Sequence, residues 1–275
     1  MNDKITIKGL SVYAYHGALE EEKKIGQRFY IDANLYIATQ KAGLTDNLEN
    51  SVHYGEVAQK IIEQFTTHSF HLIEAAAEHI AISLLNRFLL LDKVEITVHK
   101  PSAPVPLTLE SISLTICRQR HEAIIALGSN IGDRKGYLNS AIDALNKTQT
   151  CSVKKVSSFL ETDPVSHIKQ DKFLNAVLLL ETYLCPHNLL SLLQDIERAH
   201  HRERSVRWGP RTLDLDIIFY DDMIYHDAAL NIPHPLSHLR TFVMEPLAEI
   251  DPYRIHPRLQ RSVVEILESL KNKEN

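Results

Sequence analysis

The chain has 275 residues, a formal net charge of −5, 24% charged and 44% hydrophobic side chains. These totals suit one large or two ordinary soluble domains and argue against a nucleic-acid partner, while leaving room for a local basic patch that holds a small anion. Cys117, Cys151 and Cys185 read as buried thiols of a reducing compartment, and neither a signal-peptide run nor a membrane-length apolar stretch is present, so a cytoplasmic protein without a membrane partner is expected.

The chain opens with strands. In QRFYIDANLYI, Phe29, Ile31, Ala33, Leu35 and Ile37 share one face and Asp32 and Asn34 take the other, the period-two pattern of a half-buried strand. Helices are predicted over 55–67 and over 72–88, the second with Ile73, Ala76, Ala77, Ile80, Leu84 and Leu85 on one stripe. KVEITVHK (93–100) and LESISLTIC (109–117) follow as strands. The order ββααββ predicts an α+β domain with an antiparallel sheet. The charged run CRQRHE marks a boundary that divides 1–119 from 120–275. Beyond it come a strand (AIIALGS), a helix over 134–147, strands over 152–161 and 174–182, and a helix over 186–200 with Pro186 in its first turn. The strand TLDLDIIFY completes βαββαβ, the ferredoxin-like order, and the tail from His234 reads as loops and two short helices.

In TLDLDIIFY, Leu213, Leu215, Ile217 and Phe219 point one way and Asp214 and Asp216 the other. Two carboxylates side by side repel unless a cation lies between them, and hard oxygen donors suit Mg²⁺. Arg202, Arg204, Arg207 and Arg211 stand directly upstream, and the guanidinium fork suits phosphate oxygens. Carboxylates for a metal beside guanidiniums form an apparatus for phosphoryl transfer. The glycine segment LGSNIGDRKG lacks the spacing of a P-loop, so the nucleotide is held in another way. In the first half, Lys100 closes the apolar row Val94, Ile96, Val98, which suits a lysine poised for proton transfer, with Tyr54 as a partner acid. Glu74, near a helix start, can accept two hydrogen bonds from an amidine-like ring edge. Each residue also has a structural reading: a snorkelling lysine, a helix-favouring glutamate, an ion-paired surface strand. His68, His71 and His79 lack metal-ligand spacing and are assigned to surface or packing.

The segments ALGSNIGDR, SSFLETDPV, FLNAVLLLET, RERSVRWGPRTLDLDI, IPHP and RTFVMEPLAEI resemble 6-hydroxymethyl-7,8-dihydropterin pyrophosphokinase over 124–250. That resemblance implies transfer of a pyrophosphoryl group from ATP, the co-substrate, to the pterin hydroxymethyl, with release of AMP. It implies two Mg²⁺ ions on Asp214 and Asp216. Arg202, Arg211 and Arg240 would contact phosphates, with Arg202 and Arg211 acting on the transfer. Glu197 and His234 would line the nucleotide site, and Arg204 and Trp208 belong to the same side. Trp208 has three open roles: loop anchor, adenine neighbour or lid residue. Thr162, Val165 and Asn175 would meet the pterin, stacked between Phe173 and Phe242.

KITIKGLSVYAYHGALEEEKKIGQRF, TDNLENSVHYGEV, HLIEAAAEHIA and VHKPSAPVP resemble dihydroneopterin aldolase over 4–106, which implies a tunnelling-type fold. The implied reaction is cleavage of 7,8-dihydroneopterin to glycolaldehyde and the hydroxymethyl-dihydropterin, with no metal or other cofactor. Lys100 would be the acid/base, assisted by Tyr54. Glu74 would anchor the ring edge, Glu22 the glycol tail, and Val52, His53 and Ile73 would wall the pocket. The family forms ring-like homo-oligomers with sites at subunit interfaces, which opens Glu22 to service in a neighbour's site. After PSAPVP the sequence LTLE departs from the family pattern. The first product is the second substrate, so a bifunctional enzyme is expected; the length leaves no room for a third barrel domain such as dihydropteroate synthase. Two alternatives stand: an epimerase of dihydroneopterin or its triphosphate in the first half, or one half kept as a non-catalytic assembly domain.

Overall fold

The computed structural model describes residues 3–164, 170–200 and 211–274. It divides into two compact units, one running through Arg120 and one starting at His121. Among the described residues no helix is long and apolar enough to cross a membrane.

The first unit is a four-stranded antiparallel sheet in the order β1-β2-β3-β4. Its elements are β1 (Asp3–Ala14), α1 (Glu20–Ile25), β2 (Gln27–Ile37), α2 (Gln40–Thr45), α3 (Tyr54–Thr67), α4 (Ile73–Arg87), β3 (Lys93–Lys100) and β4 (Ile112–Gln119). The expected ββααββ order is present, with the short helices α1 and α2 added to it. Strict alternation on β2 buries Phe29, Ile31, Ala33, Leu35 and Ile37 against Val57, Ile61 and Phe65 of α3 and Ala76, Ala77, Ile80 and Leu84 of α4. At about 25 cal/mol per Å² of buried apolar surface, this face is the main source of the unit's stability. β4 begins at Ile112, later than the pattern LESISLTIC suggests, because the ladder pairs Lys100 with Ile112 and ends where β3 ends. Leu107 of the unusual LTLE stretch is left 76% exposed.

The second unit contains β5 (His121–Ser129), α5 (Arg134–Lys147), β6 (Cys151–Val156), β7 (Leu160–Thr162), β8 (Phe173–Thr182), α6 (Pro186–Ala199), β9 (Asp214–Tyr220), the short ribbon β10 (Tyr225–His226) and β11 (Asn231–Ile232), α7 (Thr241–Ile250) and α8 (Val263–Glu274). The sheet order β6-β8-β5-β9, with every neighbour antiparallel, is the ferredoxin-like arrangement. The single strand expected over 152–161 is two strands, both paired with β8. They are parted at Ser157, whose hydroxyl accepts from the Val177 N–H at 3.0 Å and so takes over one ladder bond. α5 and α6 cover one sheet face through Leu138, Leu145, Leu189 and Leu193. The two helices expected in the tail are present, and α7 and α8 form a layer on the opposite face through Val243, Met244, Leu247, Val263 and Ile266. The expectation of buried thiols holds for Cys151 alone. Cys117 lies on the outward alternation of β4 and Cys185 precedes α6, both exposed, and all three cysteines are free.

Candidate active sites

Lys100 is the last residue of the apolar row on β3, and burial follows the same alternation, leaving Lys100 only 9% exposed. A buried ammonium needs a counter-charge. Glu22 of α1, in the same chain, supplies it with Oε1 at 2.5 Å from Nζ. Within one chain, then, the Glu22 carboxylate is already paired with Lys100. Glu22 also accepts from the Leu19 N–H at 3.1 Å and from Gln27 Nε2 at 3.2 Å. Burial alone raises the pKa of this carboxyl, but the hydrogen bond and charge of Lys100, with the bonds from Leu19 and Gln27, outweigh it and hold the pKa below the ordinary value. Gly17 makes the room. A Cβ there would lie 2.2 Å from Glu22 Oε2 and 2.7 Å from Glu22 Cβ, closer than atoms pack.

The other residues named for this site stand at two helix starts. Val52 is buried and His53 caps α3, its Nδ1 accepting from the Glu56 N–H. Tyr54 follows, 66% exposed. Ile73 and Glu74 open α4, with Glu74 exposed. Sequence reasoning missed His16. Fully buried among Phe29, Phe65 and Phe70, its ring donates from Nε2 to the Phe65 carbonyl at 2.8 Å and accepts at Nδ1 from the Phe70 N–H at 3.0 Å. Burial, reinforced by the charge of Lys100, lowers its pKa against the Phe65 bond, so the imidazole is neutral at pH 7.

In the second unit the register of three strands builds a row. Gly128 of β5 lies opposite Asp214 of β9 on one side and Asn175 of β8 on the other. One step along, Ala126 lies between Asp216 and Val177. Two carboxylates therefore share a sheet face with an amide, roughly 10 Å away across two strand spacings. The floor between them is glycine and alanine. A Cβ on Gly128 would already approach Asn175 Oδ1 to 3.2 Å. Asn175 Nδ2 donates to Thr162 Oγ1 at 2.8 Å, and Thr162 pairs with Phe173. Phe242, in the first turn of α7, packs on the same face beside Ala126, with the Arg240 guanidinium 5.6 Å from its ring centre.

Arg211 forms an ion pair with Asp214, both side chains mostly shielded. Glu197 is buried on α6 and its Oε1 accepts from the Leu215 N–H at 2.8 Å, fastening β9 between the two aspartates. His234 donates its N–H to the Ile218 carbonyl and accepts at Nδ1 from the Leu236 N–H. Burial, then the charge of Arg240, pushes its pKa down to about 4 against the pull of Asp214, so it is a neutral donor at pH 7. Asn130, also missed, is 2% exposed and bonded to Arg211. Val165, Arg202, Arg204 and Trp208 lie outside the described residues. Among the described residues no group of three or more His, Cys, Asp or Glu side chains is placed to hold a metal ion. A cation at Asp214 and Asp216 would therefore complete its shell from water or ligand oxygens, as Mg²⁺ commonly does.

Residues 124–252 match the family model described as 7,8-dihydro-6-hydroxymethylpterin-pyrophosphokinase. Over 128 residues the chain is 49% identical to 2-amino-4-hydroxy-6-hydroxymethyldihydropteridine pyrophosphokinase of Bacillus subtilis, covering 46% of this chain and 77% of that protein. The chain belongs to the pyrophosphokinase family. Residues 5–117 match a second family model, described as dihydroneopterin aldolase. The folic acid synthesis protein FOL1 of Dictyostelium discoideum is 30% identical over 284 residues, covering 94% of this chain and 43% of that protein. A crystal structure of E. coli dihydroneopterin aldolase in complex with neopterin aligns at 28% identity with a TM-score of 0.40, covering 42% of this chain and 98% of that one. The chain spans about two fifths of the length of several curated relatives that it matches. The Asp214–Gly128–Asn175 row lies within the residues that match the pyrophosphokinase model, and the Lys100–Glu22 pair within those that match the aldolase model.

Proposed function

We propose that the chain performs two consecutive steps of folate synthesis. Residues 1–119 cleave 7,8-dihydroneopterin to glycolaldehyde and 6-hydroxymethyl-7,8-dihydropterin, and residues 120–275 pyrophosphorylate that product from ATP with release of AMP. The observation that carries the reading is the row in which Asp214 and Asp216 face Asn175 across a floor of Gly128 and Ala126. A flat ring fits over a floor without side chains, with Phe173 and Phe242 as stacking faces. Asn175 and Thr162 offer polar edges to the ring, and Arg211 and Arg240 offer guanidiniums to phosphate oxygens. Two hard carboxylates with Arg211 beside them fit Mg²⁺, which when bound would neutralise phosphate charge. Arg202, Arg204 and Trp208 are assigned to the nucleotide side, Glu197 to holding β9, and Val165 to the pterin.

In the aldolase domain Lys100 moves the proton, assisted by Tyr54, and the pterin C=N bond takes the electron pair of the broken C–C bond. Glu22 holds Lys100 in place and binds the glycol tail, Glu74 receives the ring edge, and Val52, His53 and Ile73 wall the pocket. The exposure of Tyr54 and Glu74 supports a homo-oligomer in which a neighbouring copy completes each site. Three free thiols accord with a reducing, cytoplasmic setting.

Pure protein incubated with dihydroneopterin, ATP and Mg²⁺ is expected to yield glycolaldehyde, AMP and the pterin diphosphate by mass spectrometry. ADP in place of AMP would sink the second assignment, and an L-threo epimer without glycolaldehyde would sink the first. Gly17→Ala is expected to push the Glu22 carboxylate off Lys100. Glycolaldehyde release should fall on the order of a hundredfold, because a displacement of about 1 Å suffices for such a loss. AMP formation from supplied hydroxymethyl-dihydropterin should be unchanged, and an unaffected aldolase would refute the packing argument.

A further inference from the structure

We propose that Asn130 is a positioning residue of the second unit: one side chain that fixes both the main chain of Arg211 and the segment entering β8, setting phosphate-binding and ring-binding groups in a common frame. The inference rests on the pyrophosphokinase reading of that unit.

Asn130 follows the last residue of β5 and is 2% exposed. Its own N–H donates to the Arg211 carbonyl at 3.1 Å, and its Oδ1 accepts from the Arg211 N–H at 2.8 Å. Both main-chain polar groups of Arg211 are thus gripped by one residue. The backbone that launches the guanidinium toward Asp214 has little freedom to turn. The other arm of the amide, Nδ2, donates to the Asp171 carbonyl at 3.2 Å and to Gln170 Oε1 at 3.1 Å. Asp171 stands just ahead of Phe173, the first residue of β8. The next carbonyl, that of Lys172, accepts from Arg134 Nη1 at 2.8 Å, and Arg134 is also ion-paired with Glu161 of β7. Two successive carbonyls leading into the ring-binding strand are therefore held from the segment that follows β5.

Only an amide of this length does both jobs. Asn carries an acceptor and a two-proton donor on opposite arms; Asp has no donor, Ser has a shorter reach, and Gln places its amide one methylene too far. Since every arm of Asn130 is engaged inside the protein, it is not a ligand for substrate. Its effect must pass through Arg211 and Phe173.

The test uses the full chain carrying N130D or N130A, with steady-state AMP formation measured at varied hydroxymethyl-dihydropterin and at varied ATP. Glycolaldehyde release and thermal unfolding are followed in the same preparations. N130D keeps an acceptor for the Arg211 N–H and loses the donor to the Asp171 carbonyl and to Gln170 Oε1. Its pterin KM should rise at least about tenfold, with kcat within about threefold and the ATP KM unchanged. N130A loses both arms, and its kcat should fall about a hundredfold as well. Wild-type constants in N130A, or a fall in kcat in N130D with an unchanged pterin KM, would overturn the proposal; if N130A does not fold, the N130D split decides alone. A wild-type protein that forms no AMP refutes the pyrophosphokinase reading and this inference with it, whereas an active wild type with the wrong variant constants refutes the role of Asn130 only.

Discussion

Asp214→Ala is expected to abolish AMP formation, by on the order of a thousandfold or more, while glycolaldehyde release continues at the parental rate. Asp214 is one of two carboxylates on its strand face and the ion-pair partner of Arg211. On the proposed reading, its removal takes away half of the hard oxygen donors for a divalent cation and the anchor of the guanidinium assigned to phosphate, and groups aimed at developing charge carry the largest share of such catalysis. Alanine also leaves a mostly shielded Arg211 without that partner, so some loss of thermal stability is expected. Asp214→Asn separates the two effects. It retains an oxygen that can accept from Arg211, so melting should stay near the parental temperature, yet it lacks the charge, so AMP formation should fall as far as in the alanine variant. Chromatographic detection of AMP, with glycolaldehyde as the internal control, reads both. An Asp214→Asn protein with near-parental AMP formation would remove Asp214 from the metal site.

Lys100→Ala is expected to give the mirror image: glycolaldehyde release down by about 10² to 10⁴, the usual worth of a proton-transferring side chain, with AMP formation from supplied hydroxymethyl-dihydropterin intact. A stability effect accompanies it. The Glu22 side chain is 9% exposed, and without Lys100 its charge is left buried. Breaking one side of a buried pair costs about 3–5 kcal/mol; the remaining bonds from Leu19 and Gln27 argue for the low end. Adding Glu22→Gln to Lys100→Ala should restore much of that stability, because the two changes are coupled, and should restore none of the activity. Calorimetry and a glycolaldehyde assay on the single and double variants check this. Recovery of aldolase activity in the double variant would show that Lys100 served structure only.

Much of the fold was legible because it is written as local periodicity. The alternation in 27–37 and 93–100 gave two strands and the buried end position of Lys100, and the same rule set Asp214 and Asp216 on one face. Pairings between distant segments were less readable. That Glu22 meets Lys100 of its own chain depends on how α1 is carried over the sheet, which no window of sequence encodes. The floor of Gly128 and Ala126 depends on strand register, itself shifted between Ile124 and Ile125. His16 and Asn130 escaped notice for a simpler reason: nearly all of their partners are main-chain groups, those of Phe65, Phe70, Arg211 and Asp171, and every residue type offers the same main chain. The role of the tail was hidden too, since α7 and α8 find their purpose only once the sheet has a second face to cover.

The row Asp214–Gly128–Asn175 runs across strands rather than along one. The gap between its two polar ends is thus counted in hydrogen-bonded spacings of roughly 4.8 Å each, a quantity that sequence drift in loops leaves untouched. Surface insertions can lengthen the segments that feed the strands, yet the gauge stays constant unless a strand is added or removed. A chain built this way can vary widely at its periphery and still hold these two ends at the same fixed separation.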